Sequence, residues 1–169
     1  MTPVALSIGS NIEDREFFIN SMEQMLRYVL ENVSVSALME TEPVGVDGPQ
    51  TPYLNKIIFG NYAGTPRELL NICHLIERKL GRSRKFSKEP RTADVDILLF
   101  GDQIVNEAAQ SQTLVIPHPE LQNRRFCIVG LRNISSNIPI PPSSSNLTVG
   151  ELYENMDAEV AAQNVFYVE

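Results

Sequence analysis

The chain has 169 residues, 43% of them hydrophobic and 21% charged, with 14 Lys plus Arg against 21 Asp plus Glu and a formal net charge of −7. That length predicts a single domain over 1–169, and a negative overall field argues against a nucleic-acid-binding or membrane-surface protein, since both partners present phosphate. No apolar run reaches the roughly 18 residues needed to cross a bilayer, and residues 1–10 lack the basic start of a signal peptide, so a cytoplasmic protein is expected.

The first predicted element is a buried strand at Val4–Ile8, running into a turn at Gly9-Ser10-Asn11. A helix is predicted over 14–31, where Phe18, Met22, Met25, Leu26, Val29 and Leu30 fall on a 3.6-residue period and Glu13, Asp14 and Glu16 sit at its positive end. The alternation over 33–39 predicts a half-exposed strand, and 53–62 predicts another. Between them, residues 42–52 hold three Pro and two Gly and read as a loop. The second helix carries its own signposts: Thr65 as cap, Pro66 in the first turn, Glu68 to complete a capping box and Gly81 to end it. Its apolar face is Leu69, Ile72, Cys73, Ile76 and Leu80, while His74 and Glu77 share another side.

Asp94–Phe100 predicts a central strand, alternating in its first half and apolar throughout its second, with Gly101-Asp102 as the turn after it. A short strand at 113–116, a helix over 126–134 and a Pro- and Ser-rich loop or linker over 137–145 complete the reading. Strand, helix, strand, strand, helix, strand is the order of the α+β ferredoxin-like βαββαβ sandwich, in which helices cover one face of a mainly antiparallel sheet, here with C-terminal additions. Cys73 and Cys127 have no CxxC spacing and read as buried, reduced thiols.

The charges are unevenly spread. Residues 78–91 contain Arg78, Lys79, Arg82, Arg84, Lys85, Lys88 and Arg91, where an even distribution would put about one. After Arg132 there is no basic residue at all. Just beyond the basic run comes Asp94-Val95-Asp96. In a strand, residues i and i+2 share a face about 6.5 Å apart, so the two carboxylates can aim at one place. They repel unless a cation sits between them, and Mg²⁺ suits oxygen ligands from one or two carboxylates plus substrate phosphates; a pair of metals could clamp a phosphate chain. Arg82, Arg84, Lys85 and Arg91 could fold back onto the phosphates. Neither a Walker loop nor a GxGxxG fingerprint is present, so bound ATP would use another route. His118, fixed between two prolines, is a candidate donor to phosphate.

These residues resemble a known family. Pro90-Arg91-Thr92-Ala93-Asp94-Val95-Asp96-Ile97-Leu98-Leu99-Phe100-Gly101 is similar to the signature of the 6-hydroxymethyl-7,8-dihydropterin pyrophosphokinases of folate synthesis. Four further stretches agree in order and spacing: Gly9-Ser10-Asn11 with Asp14-Arg15, Tyr53-Leu54-Asn55, Glu77 with Leu80-Gly81-Arg82-Ser83-Arg84, and Ile116-Pro117-His118-Pro119 with Arg124-Arg125-Phe126. The resemblance runs from about residue 4 to 135 and implies transfer of pyrophosphate from ATP, with two Mg²⁺, to the hydroxymethyl oxygen of the pterin, AMP leaving. It implies Asp94 and Asp96 as metal ligands and Arg82, Arg84, Arg91, His118 and Arg124 as nucleotide and phosphate contacts. Glu77 falls on the nucleotide side, and Thr41, Val44, Tyr53, Asn55 and Phe126 in the pterin pocket.

Two departures stand out. Lys88-Glu89-Pro90 replaces the usual Trp-Gly-Pro in a segment about one residue shorter, and Glu13 stands where Gly is usual. An altered substrate-covering loop follows, and with it the alternative of a relative that binds without catalysis. A nucleic-acid-binding module would need exposed aromatics on the central strands, and Val4–Ile8 and Asp94–Leu99 have none. Loops 42–52 and 82–92 are expected to move on binding. The spacing does not choose between an Asp oxygen and water as proton acceptor.

Overall fold

The computed structural model describes residues 1–12, 14–43, 48–81, 92–108, 112–142 and 147–169. In chain order the elements are β1 (Thr2–Ser10), α1 (Arg15–Arg27), β2 (Glu31–Val35), β3 (Met39–Thr41), β4 (Tyr53–Tyr62), α2 (Pro66–Lys79) and β5 (Asp94–Phe100). There follow β6 (Val105–Ala108), β7 (Thr113–Ile116), a 3₁₀ turn (Leu121–Asn123), α3 (Arg125–Ile134), α4 (Val149–Glu154), α5 (Ala158–Ala161) and β8 (Val165–Tyr167).

A six-stranded antiparallel sheet runs β5-β1-β4-β3-β8, with β2 also on β4, and β6 and β7 form a separate pair. The mixed helix and antiparallel-sheet class is as expected, but the helices do not stay on one face. Val4, Leu6 and Ile8 of β1 pack with Leu54 and Ile58 of β4 against Ile19, Met22 and Leu26 of α1 and Leu69, Cys73 and Ile76 of α2. On the opposite face Ala5, Ile57, Leu98 and Leu99 meet Cys127, Ile128 and Leu131 of α3 together with Val149, Leu152 and Val160. The C-terminal elements supply this second layer, which is why β1 and the apolar half of β5 are buried on both sides.

Local chemistry explains most boundaries. Asp14 caps α1 by accepting the Phe17 N–H at 3.1 Å, but the helix stops at Arg27, short of the predicted 31. Asn32, at φ 51°, lies inside β2, where the pairing with β4 is irregular between Glu31 and Ser34. The strand predicted over 33–39 is two strands. Between them the Ser36 hydroxyl accepts the Ile57 N–H at 2.9 Å and Asn133 of α3 accepts the Ala37 N–H at 2.8 Å, so side chains replace ladder bonds. The register slips by one residue between the Val35–Ile58 and Met39–Asn55 pairs. Thr65 and Glu68 form the capping box, and Gly81 follows α2 at φ +87°, a conformation a side chain would resist. The segment read as a linker over 137–145 is partly packed, since Ile138 and Ile140 are buried and Pro139 bridges to Thr148. Cys73 and Cys127 are buried thiols outside any disulfide, and burial pushes the Cys127 thiol far above its usual range. Among the described residues, no helix is long and apolar enough to cross a membrane.

Candidate active site

Strand register decides which side chains meet. Ser7 of β1 lies opposite Asp96 of β5, Gly9 opposite Asp94, and Gly9 also opposite Asn55 of β4. Cross-strand partners share a face. Val95 and Ile97 belong to the α1–α2 core, so Asp94 and Asp96 point to the other side, the side of α3, and so do Asn55 and Thr41. Small or polar residues at Ser7 and Gly9 leave that end of the second face open, where Ala5 and Ile57 fill the other end.

Asp94 and Asp96 are half-buried at the start of β5. Arg124, the residue just before α3, brings its Nη1 to 3.5 Å from Asp96 Oδ2, and His118 brings Nε2 to 3.8 Å from the same oxygen. His118 is positioned from both ends, its backbone N–H donating to the Leu98 carbonyl at 2.9 Å and its Nδ1 accepting the Glu120 N–H at 3.1 Å. With Nδ1 an acceptor, the neutral ring carries its proton on Nε2, facing Asp96. Burial and the Arg124 guanidinium hold His118 below its ordinary value, against the pull of Asp94 and Glu120. The ring is therefore a neutral N–H donor near pH 7.

Glu77 is the buried acid of α2, 1% exposed, and its Oε1 accepts the Val95 N–H at 2.9 Å. It thereby fixes the backbone between the two aspartates on the outer edge of β5. Glu77, Asp96 and His118 line a cleft of about 330 Å³ with His74, Leu114 and Pro119, within the size range of small-molecule sites. His74 was visible in the sequence only as Glu77's neighbour on the helix, and the β7 wall of the cleft gave no polar signal.

On the far side of Gly9, the Asn55 Nδ2 donates to Thr41 Oγ1 at 2.7 Å, and both residues are buried. Tyr53 and Phe126 are half-buried, Phe126 against the second core. Around them the chain is tied down by Asn11, whose amide donates to the Gln50 side chain at 3.2 Å and to the Thr51 carbonyl at 3.3 Å. Arg15 joins in by donating to Glu40 at 3.0 Å and to the Pro52 carbonyl at 2.7 Å. Those anchors were not singled out in the sequence, although Asn11 and Arg15 sit within one of its blocks. Of the other predicted site residues, Val44, Arg82, Arg84, Lys85 and Arg91 lie outside the described residues, as does most of the 82–92 loop.

The same face of the sheet thus brings together two half-buried carboxylates, a guanidinium and an imidazole beside them, and a buried amide–hydroxyl pair across the strand. The family model for 7,8-dihydro-6-hydroxymethylpterin-pyrophosphokinase matches residues 5–136. A 2-amino-4-hydroxy-6-hydroxymethyldihydropteridine pyrophosphokinase of Bacillus subtilis is 35% identical over 135 residues, 79% of this chain and 78% of the relative. That of Aquifex aeolicus is 32% identical over 141 residues, covering 83% and 85%. Among solved structures, wild-type HPPK-DHPS of Plasmodium falciparum superposes with a TM-score of 0.71 at 14% identity, over 91% of this chain and 43% of that one, so this chain spans less than half of that protein. The chain belongs to the 7,8-dihydro-6-hydroxymethylpterin-pyrophosphokinase family. It is an enzyme of pyrophosphoryl transfer in folate biosynthesis.

Proposed function

We propose that this chain moves the pyrophosphoryl group of MgATP onto the hydroxymethyl oxygen of 6-hydroxymethyl-7,8-dihydropterin. The oxygen attacks the β-phosphorus, its bond to that phosphorus forms as the bond to the α-phosphate oxygen breaks, AMP leaves, and the hydroxyl proton passes to an Asp oxygen or to water. The observation that carries the reading is the convergence of Arg124, at 3.5 Å, and His118, at 3.8 Å, on Asp96, two residues from Asp94 on the same strand face.

The donor set fits Mg²⁺: two half-exposed carboxylates on one face offer hard oxygen ligands and leave room for phosphate oxygens. Asp94 and Asp96 would hold it, and when bound it supplies neutralisation of charge on the phosphate chain. Arg124 places a fixed positive charge beside the chain, and neutral His118 offers an Nε2–H to a phosphate oxygen. Glu77 keeps the β5 backbone from shifting by holding the Val95 N–H. Arg82, Arg84, Lys85 and Arg91 complete the phosphate contacts in this reading. Asn55 and Thr41 face the pterin's amide edge, Tyr53 and Phe126 flank the ring, and Val44 is assigned to the same pocket.

In this reading the core is the ferredoxin-like βαββαβ unit. With β2 and β3 taken as one strand, the order fourth, first, third, second across the sheet supports it. The whole of 1–169 acts as one catalytic unit on small molecules in the cytoplasm. Incubation with MgATP and the reduced pterin, with the nucleotide product identified by chromatography, tests the proposal. AMP is expected. ADP would mean a different phosphoryl transfer, and bound nucleotide without turnover would mean a relative that only binds.

A further inference from the structure

Helix α3 begins in a way its own sequence does not support. Its N-cap position is Arg124, which has no acceptor oxygen and makes no side-chain cap bond, and the first helical residue is Arg125. Two cations at the positive end of a helix are unfavourable, and an uncapped start leaves backbone N–H groups without partners. The position is taken by a residue that reaches Asp96 instead of one that caps.

The missing acceptor comes from 38 residues further along the chain. Gln163 Oε1 accepts the Arg125 N–H at 2.9 Å, its backbone carbonyl accepts from Arg125 Nη1 at 2.9 Å, and its Nε2 donates to the Asn123 carbonyl at 2.7 Å. One side chain thus holds the backbone on both sides of Arg124. Two residues later the same segment becomes β8, which pairs with β3 so that Val165 lies opposite Thr41. The short run 163–167 therefore grips the base of Arg124 on one wall of the site and the strand of Thr41 on the other. All of it lies beyond the residues 5–136 that match the family model.

We propose that Gln163 is a positioning residue that caps α3 from a distance and so aims Arg124 at the phosphate side of the site. The inference rests on the role given to Arg124 in the proposed function. Gln163 touches no reacting atom. It acts by fixing the extended backbone at Arg124, where a small displacement moves the guanidinium off Asp96.

The test compares Gln163→Ala, Gln163→Glu and Arg124→Ala with the native chain. Amide exchange at residues 124–127 should accelerate in Gln163→Ala while the amides of β1 and β4 keep their native rates. The kcat for AMP formation should fall about tenfold, as expected when a contact group is misplaced without being removed. Gln163→Glu keeps the oxygen that accepts the Arg125 N–H but turns a second acceptor onto the Asn123 carbonyl, so its exchange at 124–127 and its kcat should fall between those of Gln163→Ala and the native chain. In the Arg124→Ala background, Gln163→Ala should lower kcat by no more than about twofold, because its effect passes through Arg124. An equal loss in both backgrounds, or native kcat in Gln163→Ala, overturns the proposal. If the native chain forms no AMP, the functional reading falls, and the exchange measurement alone decides the clamp: unchanged exchange at 124–127 refutes it and faster exchange upholds it.

Discussion

The two faces of the sheet carry carboxylates in opposite states. On the α1 side, Glu23 is closed, with Lys56 Nζ at 2.7 Å and Arg27 Nη2 at 2.8 Å on its oxygens. On the α3 side, Asp96 accepts from Arg124 at 3.5 Å and has His118 at 3.8 Å, both longer than the contacts of Glu23. The first arrangement is complete without a ligand. The second holds its charges by longer contacts, on carboxylates that stay half-exposed. The apolar residues divide in the same way. Val4, Leu6 and Ile8 make an unbroken inner row on the first face, whereas on the second the row runs Ala5, Ser7, Gly9 and opens into the site.

If the first face is only core, Leu6→Ala should destabilise the protein by about 2–5 kcal/mol in denaturant titration while the folded fraction keeps its kcat. A lowered kcat per folded molecule would break the division between faces. On the other side, Asp96→Asn should lose at least about a hundredfold in rate, roughly 2.7 kcal/mol of transition-state stabilisation, with the thermal midpoint almost unchanged. Near-native turnover by that variant would remove Asp96 from the chemistry. Gly9→Ala sharpens the map of the second face. A methyl group there would sit 2.9 Å from Asn55 Oδ1 and push the amide off Thr41. The KM for the pterin should rise about tenfold, with the KM for ATP within twofold of native; equal rises in both would place Asn55 elsewhere.

The smallest effect belongs to Glu23. Burial draws its carboxyl upward, but the hydrogen bonds and charges of Lys56 and Arg27 outweigh burial and leave it below the usual value. A carboxyl lowered by folding adds stability above its unfolded value and loses it as the pH falls through the folded one. Glu23→Gln should therefore cost about 1 kcal/mol at pH 7, and the gap to the native protein should narrow as the pH falls below the carboxyl's unfolded value and through its lower folded one. A constant gap across that range would show that the pair contributes by packing alone.

Much of this was legible in the chain because the signals are local. The β4 strand over 53–62, the Thr65–Glu68 capping box and the run from Asp94 to Phe100 each follow from residues within a few positions of one another. The Asp94–Asp96 pairing on one face needed only the strand period. Arg124 was assigned by resemblance and His118 also from its flanking prolines, but no spacing rule could place both on Asp96, since 28 residues separate Arg124 from it and the contact depends on how α3 docks. In the second helical layer, the helix over 126–134 was foreseen, but the elements after it were illegible for the same reason. Val149, Leu152 and Val160 sit in segments too short for a helical period to emerge, and they gain order by covering Ile57 and Leu98. The split at Ser36 likewise depends on Asn133, a distant partner.

The most direct test of the central claim is a crystal structure with Mg²⁺, the pterin and a nonhydrolysable ATP analogue. The polyphosphate should lie against Asp94 and Asp96, with Arg124 and His118 on its oxygens and the pterin edge at Asn55 and Thr41. Phosphates bound anywhere else, with the two aspartates turned away from them, would contradict it.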